Sequence, residues 1–377
     1  MKIILSTRIL VVVCFALAFN AINQVKAQNA SGEKATSLPY ISKDIQFSNE
    51  DNSIKFGATL TIPDTLNNHQ AVILVSGTGE QDRDGTMAGH KMFAAIADNL
   101  TRRGIAVLRV DDRGVGQTTG VYETSTTGDF AKDVMAFIRF LKSQKGIDPK
   151  DIGLIGHSEG GAVISIVTAQ SNDVAFMISI AGLATDGLTA LKKQNRDIVD
   201  ASSLPSYDKG RSNDINELMF NTAYAYANSD SMEAKLNETY NKWKIKDDAY
   251  FKTLNVKFDH FRFPIYSYVK FASGPWYRYF IQYDPAKYLT KVKVPVLAIN
   301  GDRDLMVACN ENLENFRKYL TEAGNQDFKI VSVPGLNHLF QHCKLCTREE
   351  YESLNETFAP EVLDLMGNWI LSHKRNK

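Results

Sequence analysis

The stretch Asp151-Ile152-Gly153-Leu154-Ile155-Gly156-His157-Ser158-Glu159-Gly160-Gly161 is a short apolar run that ends in a Gly-x-Ser-x-Gly pattern. The apolar run predicts a buried strand, and the residues that follow it, 161–170, predict a helix. A sharp strand-to-helix turn leaves no space for bulky side chains two positions before and after the serine, and Gly156 and Gly160 meet that requirement. The stretch therefore predicts that Ser158 is a nucleophile, against the alternative of an ordinary strand-to-helix turn.

The composition is that of a soluble globular protein. The chain has 377 residues, of which 44% are hydrophobic and 23% charged. Lys and Arg together number 43, as do Asp and Glu. Because this balance creates no overall basic field, the composition argues against nucleic acid and anionic lipid as partners. No sequence feature determines the oligomeric state.

Residues 1–27 have the pattern of a secretory signal peptide. Lys2 and Arg8 precede the apolar run 9–19, and Val25-Lys26-Ala27 offers a small-x-small cleavage site. The apolar run is about half as long as a bilayer span requires, so we expect no stable membrane anchor. The sequence predicts export to the periplasm or the extracellular space.

Strand and helix patterns alternate through most of the mature chain, which predicts an α/β fold with a mostly parallel, doubly wound sheet. Two alternating segments up to residue 63 predict an antiparallel hairpin at the start of that sheet. The predicted strands are 44–48, 54–63, 71–75, 105–110, 151–157, 174–181, 294–299 and 328–333, and the predicted helices are 92–100, 129–141, 161–170, 311–323 and 360–371.

Residues 183–287 interrupt this alternation with a polar, helical segment that ends in many aromatic residues. An insertion of this length predicts a separate helical cap, with most of the aromatic rings in its core and the remainder lining a substrate cleft near Ser273-Gly274-Pro275-Trp276. The predicted organisation is a core in two parts, 28–182 and 288–377, with the cap between them.

A serine hydroxyl needs a base to take its proton and an acid to orient that base. The strand ending at Ile299 is followed by a turn that carries Asp302 and Asp304, and the strand ending at Val333 is followed by a loop that carries His338. No other histidine follows the carboxyl end of a core strand, except His157 beside the serine, which we interpret as a packed structural residue. His338 is therefore the predicted base, and both carboxylates are candidates for the acid.

The order Ser158, Asp, His resembles the α/β-hydrolase superfamily. The resemblance extends over Ser76-Gly77-Thr78-Gly79-Glu80-Gln81-Asp82-Arg83-Asp84-Gly85, Asp111-Asp112-Arg113-Gly114-Val115-Gly116, the Gly-His-Ser-Glu-Gly-Gly elbow and Leu336-Asn337-His338-Leu339-Phe340. In detail it is similar to a secreted bacterial branch of esterase-like hydrolases, with kinship to serine peptidases of the prolyl oligopeptidase type.

This resemblance implies residue roles. The acid usually stands fourth in a Gly-x-x-Asp turn, which selects Asp304 over Asp302. The oxyanion would be bound by the backbone amides of Glu159 and Thr78, with Gly79 as the nearest alternative to Thr78. Such a site uses no cofactor and no metal.

The implied function is an exported serine hydrolase that cleaves carboxylic esters of short to medium acyl chain through an acyl-enzyme. A peptidase or amidase with the same triad is the first alternative. A catalytically inactive binding protein on the same fold is the second. The partner expected for the leading interpretation is a small-molecule ester.

Two further hypotheses concern charged and sulfur side chains. Arg83 and Arg113 belong either to an internal ion-pair network or to a site for a substrate carboxylate. Cys309 and Cys343 each follow a member of the triad by five residues. We therefore expect a disulfide from Cys309 to Cys343 or Cys346 that joins the acid and base loops, with free thiols as the alternative.

Overall fold

The computed structural model describes residues 38–374. The predicted signal peptide, 1–27, lies outside the described residues. Within them, no helix is both long and apolar enough to cross a membrane.

An eight-stranded sheet forms the centre of the fold, with the order β1-β2-β6-β3-β7-β8-β9-β10. Strands β1 and β2 pair antiparallel, as the sequence predicted, and β2 is also antiparallel to β6, whereas the remaining neighbours run parallel. The strands are β1 Ile41–Ser48, β2 Lys55–Ile62, β3 His69–Val75, β4 Thr86–Met87, β5 His90–Lys91, β6 Ala106–Val110, β7 Ile147–His157, β8 Met177–Ile180, β9 Val296–Gly301 and β10 Phe328–Val333.

Helices flank this sheet and also make up most of the segment between β8 and β9. They are α1 Met92–Arg102, α2 Thr127–Lys142, α3 Glu159–Gln170, α4 Gly187–Ala201, α5 Ser206–Ala225, α6 Met232–Phe251, α7 Ile265–Ala272, α8 Pro275–Ile281, α9 Ala286–Leu289, α10 Cys309–Glu322, α11 Arg348–Tyr351 and α12 Pro360–Ser372. The architecture is the α/β-hydrolase fold with a mostly parallel sheet.

The central strands are buried on both faces, which explains why they appear in the sequence as continuous apolar runs. Every residue of β6 and β8 is buried. Helix boundaries differ from their predictions by a few residues, and at the turn after β7 the helix α3 begins at Glu159 rather than at residue 161, because the chain turns helical directly after Ser158. The two-residue strands β4 and β5 were not predicted, since a pair this short leaves no periodic pattern.

Parallel strands end at the same edge of a sheet, and this determines where the functional loops lie. The carboxyl ends of β3, β7, β9 and β10 lead into Ser76, Ser158, Asp302 and Pro334, respectively. The four loops that the sequence singled out therefore leave the same edge of one sheet.

The described chain divides into two compact units. One consists of residues 187–283, with α4 to α8, and the other contains the sheet. Seven of the aromatic residues at the end of the insertion are buried, namely Phe261, Phe263, Tyr268, Trp276, Tyr277, Phe280 and Tyr283.

A buried arginine, Arg211, forms ion pairs with three aspartates of the helical unit. Arg211 forms a two-point contact with Asp247, at 2.6 and 2.8 Å, and also binds Asp208 and Asp259. Its guanidinium carbon lies 4.6 Å from the centre of the Phe261 ring. A buried arginine needs such compensation, because removal of its charge from water is costly.

Candidate active site

Ser158 lies at a strained turn between β7 and α3. Its backbone has φ 56° and ψ −121°, a conformation that side-chain-bearing residues rarely adopt. A methyl group on Gly156 would lie 2.3 Å from the carbonyl oxygen of Gly160, and one on Gly160 would lie 2.3 Å from that of Val75. The two glycines flanking the serine are thus required by close backbone contacts, for the reason inferred from the sequence.

The structure brings His338 and Asp304 together. Nδ1 of the imidazole lies 2.8 Å from Oδ2 of the carboxylate, and both side chains are buried. The other oxygen, Oδ1 of Asp304, accepts the backbone N–H groups of Met306 and Val307 at 2.7 and 2.9 Å. Three donors therefore fix this carboxylate, which can orient the imidazole and stabilise its cation.

Asp302, the alternative acid, is exposed and does not contact the histidine. Its Oδ1 accepts the backbone N–H of Gly335 at 2.7 Å, and its own N–H donates to the carbonyl of Val333. Asp302 thereby joins the turn after β9 to the loop after β10. The geometry assigns it a role in loop structure, whereas Asp304 faces the base.

His157 connects the turn at Ser158 to the loop of the base. Its Nε2 lies 2.9 Å from the backbone carbonyl of His338, and the two rings are 4.6 Å apart. Burial, with a smaller contribution from His338, lowers the pKa of His157 to about 3. The ring is therefore neutral, and its Nε2–H donates to the carbonyl. This structural role agrees with the interpretation of His157 as a packed residue.

An amide side-chain pair, not found by sequence reasoning, shapes the loop of the base. Oδ1 of Asn337 accepts the backbone N–H groups of Leu339 and Gln341, and its Nδ2 donates to Oε1 of Gln341. Gln341 in turn donates to the carbonyl of Glu356. The sequence offers Asn337 and Gln341 on either side of His338 as a possible sign of this contact. Such pairs of amide side chains are common, so the contact could not be predicted without the fold.

The loop after β3 lies against the nucleophile. A methyl group on Gly77 would lie 2.9 Å from Cβ of Ser158. The N–H of Gly79 donates to the hydroxyl of Tyr122 at 2.7 Å, so this alternative oxyanion donor is already engaged. Within residues 38–374 no hydrogen bond uses the Thr78 N–H. Glu159 is the first residue of α3, where helix N–H groups point outward.

The charged residues near this loop form internal contacts. Arg83 binds Asp111 through Nε at 3.0 Å and Nη2 at 2.5 Å, and Arg113 binds Asp133 through Nε at 2.6 Å and Nη2 at 2.8 Å. These two-point contacts match the planar guanidinium to a carboxylate. They favour the internal ion-pair network over recognition of a substrate carboxylate.

Asp112 holds the start of the same loop. Its carboxyl accepts the Ser76 hydroxyl at 2.5 Å and the backbone N–H of Gln81 at 2.9 Å. Burial, and to a smaller extent the nearby Glu159 and Asp111, raise the pKa of Asp112 to about 8 from its ordinary 3.8. At neutral pH this carboxyl therefore keeps its proton in the folded chain.

We expect Asp112 to make the folded chain less stable as the pH rises from about 4 to about 8. In that window the folded state holds a proton that the unfolded state has lost, so the free energy of unfolding falls with pH. Asp112→Asn removes the titrating group and should reduce this fall. Urea unfolding of both proteins at several pH values across the window measures it.

Glu80→Gln is the matched control, because it makes the same carboxyl-to-amide change in the loop after β3, but at an exposed position. It should leave the pH dependence of the unfolding free energy close to that of the unaltered chain. The assignment fails if Asp112→Asn loses stability with rising pH as steeply as the unaltered chain.

The predicted disulfide between the acid and base loops is wrong. Cys343 is bonded to Cys346, three residues along the same loop, and Cys309 is a buried free thiol. Sγ of Cys309 lies 3.3 Å from the hydroxyl of Ser332, so it points toward β10. The side chain of Glu350 lies close to Cys343 and Cys346, but the bond between the two sulfurs removes them as thiolate ligands.

The chain is similar in sequence to known hydrolases. A family model described as "Serine aminopeptidase, S33" matches residues 67–199. Esterase EstD of Thermotoga maritima is 24% identical over 280 residues, which span 74% of this chain but 57% of the length of EstD. An uncharacterised 31.7 kDa protein of Escherichia coli is 22% identical over 75% of this chain and 86% of its own length.

Solved structures share the fold at low sequence identity. An esterase of Pyrococcus furiosus, Pf2001, superposes with a TM-score of 0.54 at 17% identity, covering 92% of this chain and 96% of its own. The hypothetical protein PA2218 of Pseudomonas aeruginosa gives 0.53 at 15%, covering 93% and 100%. The sheet topology, the turn at Ser158 and these structural similarities show the α/β-hydrolase fold, and the sequence is similar to that of hydrolases, an esterase among them.

Proposed function

We propose that the chain is an exported serine hydrolase that cleaves carboxylic esters of short to medium acyl chain through an acyl-enzyme. The observation that carries the proposal is the 2.8 Å contact between Asp304 and His338, in a loop that His157 joins to the strained turn at Ser158. A buried carboxylate that orients an imidazole for a serine is the arrangement that activates a hydroxyl for acyl transfer.

In this mechanism Nε2 of His338 takes the Ser158 proton as Oγ attacks the ester carbonyl carbon. The backbone N–H groups of Thr78 and Glu159 bind the oxygen that becomes negative in the tetrahedral intermediate. The imidazolium then gives its proton to the leaving alcohol, and the acyl group stays on Oγ. A water molecule, deprotonated by His338, repeats the attack and releases the carboxylic acid.

The ester preference is supported by the relatives described as esterases, EstD and Pf2001. The match spans little more than half of EstD and the identities are low, so the ester substrate is a proposal for this chain. The cap role predicted for residues 183–287 and the export predicted from residues 1–27 remain parts of the proposal.

A substrate panel tests this function. We expect the purified mature chain to hydrolyse aryl esters of two to eight acyl carbons faster than aminoacyl aryl amides, and a fluorophosphonate probe to label Ser158. The family model described as a serine aminopeptidase favours the amidase alternative, which predicts the opposite order of rates. Absence of both hydrolysis and labelling would leave the inactive binding protein as the remaining interpretation.

A further inference from the structure

The side chain of Glu159 is buried, which is unusual for a glutamate. It follows the nucleophile, yet only 1% of the residue is exposed. Its Oε2 accepts the hydroxyl of Thr78 and its Oε1 accepts that of Thr127, each at 2.7 Å. A charged group removed from water is costly unless hydrogen bonds compensate it, so this buried carboxylate calls for a specific role.

Its two hydroxyl partners come from different parts of the unit that contains the sheet. Thr127 is the first residue of α2, whose start is fixed by a capping box between Thr126 and Asp129. Thr78 belongs to the loop after β3, the loop that touches Ser158 through Gly77. The carboxylate of Glu159 therefore joins the loop to the starts of two helices, α2 and α3.

Neighbouring residues of the loop are fixed in the same way. The Ser76 hydroxyl binds Asp112, and the N–H of Gly79 binds the hydroxyl of Tyr122, whose ring stacks on Phe130. Thr78 lies between these two anchors, and its side chain is held by Glu159. Hydrogen bonds therefore hold the loop at Thr78 and at the residues two before and one after it.

We propose that Glu159 is a positioning residue, whose carboxylate holds the Thr78 hydroxyl and thereby aims the Thr78 backbone N–H at the oxyanion. The proposal rests on the proposed function, because it assigns the Thr78 amide to the oxyanion hole. It adds a second role to Glu159: its backbone N–H binds the oxyanion directly, while its side chain places the other donor.

Thr78→Val tests this role, because it keeps the shape and the backbone N–H but removes the hydroxyl. We expect kcat for an aryl ester to fall about 10- to 100-fold, the effect of a displaced oxyanion donor, with KM nearly unchanged. The affinity of an alkyl boronic acid, whose adduct with Ser158 is tetrahedral, should fall in parallel. Thr78→Ser keeps the hydroxyl and should recover most of the kcat.

Thr101→Val is the matched control, because Thr101 is also buried and hydrogen-bonded but lies on α1. It should lower the thermal midpoint while leaving kcat and boronic acid affinity unchanged. Titration of active sites with a fluorophosphonate corrects each kcat for misfolded protein. Replacing Glu159 itself carries a greater risk of misfolding, so Thr127→Val, which removes the second hydroxyl, is the additional variant and should lower kcat in the same direction.

The outcomes separate the two proposals. If the unaltered chain hydrolyses esters and Thr78→Val does so equally fast, the positioning role is wrong and the proposed function stands. If Thr78→Ser loses as much kcat as Thr78→Val, the hydroxyl is not what holds the loop. If the unaltered chain neither hydrolyses esters nor reacts with the fluorophosphonate, the proposed function fails and the positioning role fails with it.

Discussion

Ser158→Ala should lower the rate of ester hydrolysis about ten-thousandfold or more, because the acyl-enzyme cannot form without Oγ. The turn itself should persist. Its close contacts involve Gly156 and Gly160, and the backbone N–H of Ser158 donates to the carbonyl of Ile180, which the substitution retains. Steady-state kinetics with an aryl ester and thermal unfolding followed by circular dichroism measure the two effects.

Ser165→Ala is the control for this substitution. Ser165 lies on α3, about two turns beyond Ser158, and its hydroxyl donates to the carbonyl of Gly161 at 2.7 Å. The same chemical change at this buried serine should alter stability slightly and leave turnover within about twofold, as expected for loss of one hydrogen bond outside the site. Ester hydrolysis that persists in Ser158→Ala at the unaltered rate would exclude Ser158 as the nucleophile.

The sequence predicted the sheet and the turn at Ser158 because both depend on local patterns. Buried strands appear as apolar runs, and the glycines around Ser158 are required by contacts within a few residues of it. The approach of His338 to Asp304 was also predictable, since parallel strands deliver their loops to one edge. The choice between Asp302 and Asp304 came from a resemblance, and only the geometry shows which carboxylate faces the imidazole.

The features that sequence reasoning missed depend on side-chain direction and on distant partners. Cys309 was expected to meet the base loop, but its Sγ points to Ser332, while Cys343 bonds within its own loop. Glu159 was assigned only a backbone role, from its place directly after Ser158, and its side chain is buried although charged residues are normally exposed. Its burial depends on Thr78 and Thr127, which lie 81 and 32 positions away in the chain. No local sequence pattern predicts contacts between residues so far apart in the chain.

Asp304→Asn should lower kcat about ten-thousandfold, and the hydrogen bonds of the carboxylate explain why. Oδ1 accepts two backbone N–H groups, so an asparagine would keep its oxygen there and turn its NH₂ toward Nδ1 of His338. That contact requires an unprotonated Nδ1 and places the ring proton on Nε2. Nε2, the nitrogen that takes the serine proton in the proposed mechanism, could then no longer accept it.

Asp302→Asn is the matched control, two residues away in the same turn. Its oxygen can still accept the N–H of Gly335, so the loop contact survives and kcat should stay within about threefold of the unaltered chain. Kinetics of both variants from pH 6 to 9, with active sites titrated, compare the two carboxylates directly. A larger loss in Asp302→Asn than in Asp304→Asn would make Asp302 the acid and contradict the assignment. The expected order instead follows from the contact geometry, because only the Asp304 carboxylate determines which nitrogen of His338 carries the proton.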